Sequence, residues 1–135
     1  MKKYENFCKA LANLQIGLKR EEPYDVVDVV GIVGLFVICF EQTWKLMKEA
    51  LERDGRHEVR TGSPRSIIKL AYQSDMINDQ EIWLDILDAR NLLSPTYSKE
   101  TGLETIQRLK SEFIGAFVEL KKEIDEHWIN GDEQG

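Results

Sequence analysis

The feature that most constrains this chain is a long apolar stripe near its C-terminus. Leu103, Ile106, Leu109, Phe113, Phe117, Leu120, Ile124 and Trp128 follow one another at steps of three and four. That spacing keeps one face of an α-helix apolar over more than six turns and leaves no place for a strand. An upstream stripe repeats the pattern, with Tyr4, Phe7, Cys8, Leu11, Leu14 and Leu18 between Lys2 and Arg20. Glu21-Glu22-Pro23 stops that helix, because proline cannot continue it and restricts the residue before it.

The segment from Asp25 to Asp54 pulls two ways. Val26, Val27, Val29, Val30, Ile32 and Val33 are β-branched and favour a strand by propensity. Asp25 stands at an N-cap position, however, with Asp28 three residues on. Beyond Gly34 the order Phe36, Phe40, Trp44, Met47, Leu51 is helical, and no turn signal separates the two parts. The reading is one helix, apolar nearly all round in its first half, at the centre of a bundle. Gly31 and Gly34 lie near one another on one side and permit close approach of a neighbour.

Arg53 to Gly62 reads as a loop. Ser63-Pro64 starts a third helix, N-cap then first turn, running to about Asp75 with Ile67, Leu70 and Ala71 inward. Asp79 caps a fourth helix, with Ile82, Trp83, Ile86, Leu87, Arg90 and Leu93 on or near its buried stripe, and Ser94-Pro95 ends it. Ser98 or Thr101 opens the last helix, Thr101 with Glu104 as a capping box. The fold expected is all-α: an up-and-down bundle of about five helices with short links, one domain over residues 1–129 and a frayed tail over 130–135.

The chain has 135 residues, enough for one core without covalent staples. Its 42% hydrophobic content and 3 prolines exclude a disordered chain. Two cysteines, Cys8 and Cys39, and two histidines, His57 and His127, exclude a disulfide framework and leave no set for a metal centre. The cysteines read as buried small hydrophobes, and Trp44 and Trp83 as core or dimer contacts. A net charge of −6 disfavours nucleic acid as a general partner. The start of the chain has no apolar block of the signal-peptide kind. The uncharged run Val29–Phe40 spans 12 residues, short of the roughly 20 a bilayer requires. A cytoplasmic protein without membrane contact, metal or cofactor is expected.

No phosphate-binding glycine loop, paired-cysteine motif or nucleophile elbow is present. Chemistry concentrates in Asp88-Ala89-Arg90-Asn91-Leu92-Leu93-Ser94-Pro95-Thr96-Tyr97. Arg90 follows Trp83 by seven residues and Leu87 by three, so it faces the apolar side. Such an arginine needs a partner. Either a carboxylate such as Glu41 or Asp88 takes it, or it caps a helix end, or it binds a phosphate, which guanidinium suits geometrically. Tyr97 packs its ring at the helix junction or presents its hydroxyl. Arg53, Arg56, His57, Arg60, Arg65 and Lys69 form a basic neighbourhood diluted by Glu52, Asp54 and Glu58, and read as a solvated loop before an RNA surface.

The run Trp83-Leu84-Asp85-Ile86-Leu87-Asp88-Ala89-Arg90-Asn91-Leu92, closed by Thr96-Tyr97, resembles the signature of the nucleotidyltransferase substrate-binding proteins, a branch of the HEPN superfamily. Phe40-Glu41-Gln42-Thr43-Trp44-Lys45-Leu46-Met47-Lys48 resembles that family's second-helix pattern, and Gly62-Ser63-Pro64-Arg65 its third-helix start. The resemblance implies a HEPN-like homodimer that partners a minimal nucleotidyltransferase. It also implies a place in a toxin–antitoxin pair, whose toxin is a metal-independent RNase with the motif Arg-x-x-x-x-His-x-Tyr. The nucleotidyltransferase silences such a toxin by adding AMP to the motif tyrosine. The motif arginine here is Arg90 and the tyrosine Tyr97, while Pro95 stands at the histidine position.

Proline has no titratable group, and general acid–base assistance contributes roughly 10² to 10⁴ in rate. The resemblance therefore implies a nucleotide- or phosphate-binding surface of Arg90, Asn91 and Ser94, with Tyr97 as AMP acceptor, more than a working RNase. A dimeric adaptor without nucleotide chemistry is the third alternative.

Overall fold

The computed structural model describes residues 1–129, and the tail assigned to 130–135 lies outside them. Six α-helices follow in order: α1 (Lys2–Gly17), α2 (Val26–Arg53), α3 (Pro64–Gln73), α4 (Gln80–Asn91), α5 (Lys99–Arg108) and α6 (Ile114–His127). A 3₁₀ turn spans His57–Thr61, and a π turn, Leu109–Phe113, joins α5 to α6 without a break. The molecule is thus a bundle of five rods, with no strand among the described residues.

The long stripe forms the helix it predicts, with one irregularity. Leu109, Phe113 and Phe117 are separated by two successive steps of four, and all three are fully buried. At 3.6 residues per turn, such steps drift off the buried line. The wider π turn absorbs the drift and keeps the three side chains inward. Phe113 stacks on Phe36 at a centroid distance of 6.3 Å, and Phe117 meets Phe36 and Trp83 edge-on at 6.5 and 5.2 Å. On the outer side, Lys110 of the π turn donates to the backbone carbonyl of Arg20 at 2.8 Å and to the Tyr24 hydroxyl. It therefore ties the α1–α2 connection to the last rod.

Helix wins over strand in α2 because its start is satisfied locally. Asp25 accepts from the Asp28 backbone N–H at 2.8 Å, and Asp28 accepts from that of Asp25 at 3.1 Å. This reciprocal capping box satisfies two donors that a helix start otherwise leaves open. The Asp28 carboxyl is held below its usual range, first by the Asp25 backbone N–H and then by Arg20, which donates to it at 2.7 Å. Replacing Asp25 by alanine should cost about 1 kcal/mol; an unchanged urea midpoint would show that the box contributes nothing.

α2 packs against α1, α3, α4, α5 and the 3₁₀ turn, as a central helix should. By length and composition it also passes for a bilayer-crossing helix, beyond what the run Val29–Phe40 suggests. A core helix passes the same test, and α2 has 11 buried residues. Its burial is not all-round, however. Val26, Val27, Val30 and Ile38 are exposed, and a side chain added at Gly31 or Gly34 would meet nothing. Among the described residues no neighbour packs on either glycine.

Several boundaries differ from expectation. α1 ends at Gly17 and not Arg20, and α3 at Gln73 and not Asp75. The Arg53–Gly62 loop contains the 3₁₀ turn, anchored by the buried Val59. Ser98 caps α5 by accepting from the Thr101 backbone N–H at 3.1 Å, which places Thr101 inside the helix and rules out a capping box starting there. Ser63 and Asp79 cap α3 and α4 as expected.

Candidate functional site

The end of α4 and the turn that follows it lie against the open side of α2. Between them runs a groove of about 510 Å³. Val30, Val33, Gly34, Val37 and Ile38 of α2 form one wall, and Arg90, Leu93, Ser94, Pro95 and Tyr97 form the other. A second hollow of about 230 Å³ continues it past Val30, Pro95 and Tyr97 towards Val26, Val29 and Lys99. The whole is an apolar trough with Arg90 towards one end and Lys99 towards the other.

Arg90 is half-buried, as its spacing from Trp83 and Leu87 requires. Its Nε lies 3.5 Å from Glu41 Oε1, close enough for ion pairing. The contact is too weak to count as a hydrogen bond, so the Nε–H is buried without an acceptor. Glu41 in turn accepts from the Trp44 indole N–H at 3.1 Å. Asp88, the other carboxylate considered for Arg90, is taken by Arg65 at 2.9 Å. Arg90 is thus held at its inner edge by one carboxylate and makes no hydrogen bond within the described chain. A guanidinium so placed can receive an anion in paired hydrogen bonds.

Tyr97 lies half-buried in the turn before α5, its ring near Gly102 of that helix. A Cβ at Gly102 would stand 3.0 Å from the Tyr97 ring and 2.6 Å from Val29, so the ring rests where only glycine leaves room. The Tyr97 backbone N–H donates to Ser94 O at 3.1 Å, which closes the turn after Leu93. No hydrogen bond to the Tyr97 hydroxyl occurs among the described residues. Packing and presentation are therefore compatible: the ring is seated and the hydroxyl is unengaged.

Arg90, Ser94 and Tyr97 come together on one groove, as does Pro95 at the motif's histidine position. Asn91 is exposed and does not line it. His57 and His127 lie outside it, so the groove lining has no imidazole and no carboxylate. The α2 wall is the part that motif reading missed. Its signal was the excess of apolar residues in the first half of α2, more than the core consumes.

Other places fit an anion less well. The hollow over Trp83, about 340 Å³, is walled by Asp75, Glu119, Glu123 and Glu126, and so many carboxylates repel phosphate. Within the basic neighbourhood, Arg60 is paired with Glu52 at 2.8 Å and Arg65 with Asp88. Cys39 is fully buried, its thiol pushed up to about 12 by burial, which leaves it unreactive. Cys8 is half-buried. Trp83 is core, while Trp44 is half-buried beside Glu41.

A family model described as nucleotidyltransferase substrate binding protein like matches residues 2–126. The chain belongs to this family. The match takes in all of the helices but the last residue of α6, including the segment from Arg90 to Tyr97 that supplies one wall of the groove, and it ties the protein to a nucleotidyltransferase as a substrate-binding partner. Among curated proteins none matches this chain.

Proposed function

We propose that this substrate-binding protein serves its nucleotidyltransferase by presenting the Arg90–Tyr97 groove, with Tyr97 as the acceptor of AMP. The supporting observation is the pairing of an unengaged phenol with a guanidinium lacking a hydrogen-bond acceptor on one groove. In the transfer, the Tyr97 oxygen attacks the α-phosphorus of ATP. An O–P bond forms, the bond to the β-phosphate bridge breaks, and pyrophosphate leaves. The phenolic proton passes to a base supplied by the nucleotidyltransferase. Arg90 steadies the phosphate, and the apolar walls take the less polar part of the nucleotide. Ser94 lies beside them as a further hydrogen-bonding group.

The protein acts in the cytoplasm as a homodimer within a HEPN-type toxin–antitoxin pair, on this reading. An RNase activity of its own has less support. Position 95 is proline, and the groove lining holds no imidazole or carboxylate to move the proton of a 2′-hydroxyl. A pure adaptor role leaves the polar side of the groove without a purpose.

The test is intact-mass measurement with ATP, magnesium and the partner nucleotidyltransferase. The protein should gain one or more AMP masses, and Tyr97→Phe should gain none. Arg90→Ala should slow the gain by about 10- to 100-fold, the worth of charge-assisted hydrogen bonds. A gain that persists in Tyr97→Phe places the acceptor elsewhere, and no gain with an active partner sinks the proposal.

A further inference from the structure

Two of the three tryptophans use their indole N–H within the chain. Trp44 donates to Glu41 and Trp128 to Glu123, each at 3.1 Å. Trp83 does not. It is only 3% exposed, and its N–H meets no acceptor among the described residues. Nor is the nitrogen sealed in the core. The space that Trp83 lines is the hollow of about 340 Å³ between the α3–α4 turn and α6. A buried indole normally finds a partner for its N–H, and here an oxygen bound in the hollow can supply it.

The floor of the hollow is otherwise apolar, with Met76, Ile77 and Leu120 all buried beside Trp83. Its rim is acidic. Asp75 stands on the α3–α4 turn, and Glu119, Glu123 and Glu126 on α6, with Lys122 the one cation in the lining. Steps of four and three put the α6 carboxylates on one face, where like charges oppose one another. Glu123 already accepts from Trp128 and pairs with His127. Asp75 and Glu119 make no ion pair or side-chain hydrogen bond among the described residues. The floor thus lacks an acceptor and the rim lacks positive charge. An anion such as phosphate fails at the rim, and a plain polyamine fails at the floor.

We propose that the hollow over Trp83 is a second binding site, taking an organic cation that also carries a carbonyl or hydroxyl oxygen. The Trp83 N–H donates to that oxygen. Asp75 and Glu119 accept charge-assisted hydrogen bonds from its ammonium or guanidinium groups on two walls. The hollow shares no lining residue with the Arg90–Tyr97 groove, so its occupation does not depend on the chemistry of Tyr97.

Argininamide and agmatine test this as a pair. Both carry two positive charges on similar frames, and only argininamide has a carbonyl oxygen. In proton–nitrogen NMR spectra the Trp83 indole signal is the one that persists in both Trp44→Phe and Trp128→Phe. Argininamide should shift that signal with a dissociation constant on the order of 1 mM. Agmatine should bind about 10-fold more weakly, and AMP should leave the signal unmoved.

The double variant Asp75→Asn/Glu119→Gln removes the two unpaired carboxylates. Asparagine tolerates the left-handed backbone at position 75, where φ is 62°, so the melting temperature should not fall. Argininamide should bind this variant at least about 10-fold more weakly. Equal affinity for argininamide and agmatine, a Trp83 signal that argininamide does not move or that AMP does, or full affinity in the double variant would each overturn the site.

Discussion

Phe117→Ala should destabilise the protein by about 3–5 kcal/mol, the range for emptying a buried aromatic site. Phe117 is fully buried and is the ring at which three rods meet, edge-on to Trp83 of α4 at 5.2 Å and to Phe36 of α2 at 6.5 Å. The cavity cannot collapse by moving one side chain, because its walls belong to three separate helices. A domain of ordinary stability has only about 5–15 kcal/mol in total, so the variant should be partly unfolded at modest urea. Tyr72, 45% exposed on α3, is the contrast; Tyr72→Ala should stay within about 0.5 kcal/mol. A loss under 1 kcal/mol at Phe117 would show that the rods do not meet there.

What the sequence discloses depends on how far apart the cooperating residues lie. The α5–α6 rod is legible because its apolar steps of three and four are local, and even its π turn leaves a trace in the two successive steps from Leu109 to Phe117. The ends of α2, α3 and α4 are legible because Asp25, Ser63 and Asp79 cap neighbouring backbone groups. Val59 escapes notice because one apolar residue among charges carries no period. In the site, the inward aim of Arg90 follows from its distance to Trp83 and Leu87 on the same helix. Glu41 as its partner is one of several carboxylates until tertiary packing chooses, since the residues are 49 positions apart. The α2 wall is the extreme case. A segment apolar on every side tells which helix is central but not which of its faces the chain leaves open.

The same chemical change at two glycines should have opposite signs. At Gly102, in the first half of α5, an added Cβ would lie 2.6 Å from Val29 and 3.0 Å from the Tyr97 ring. Val29 belongs to the central helix and is buried, so it cannot yield without moving α2; Tyr97 is the softer neighbour and should be pushed from its seat. Gly102→Ala should therefore lose about 1–3 kcal/mol through overpacking. Gly115, just beyond the π turn, has no atom within 4 Å of an added Cβ. Gly115→Ala should gain about 0.5–1 kcal/mol from helix propensity alone. Urea unfolding of both variants checks the pair, and equal shifts would mean that α5 does not touch α2 and Tyr97 as described. The Gly102 variant also reports on the site. If the groove works as proposed, displacing the Tyr97 ring should slow AMP addition in a protein that remains folded, whereas Gly115→Ala should accept AMP at the original rate.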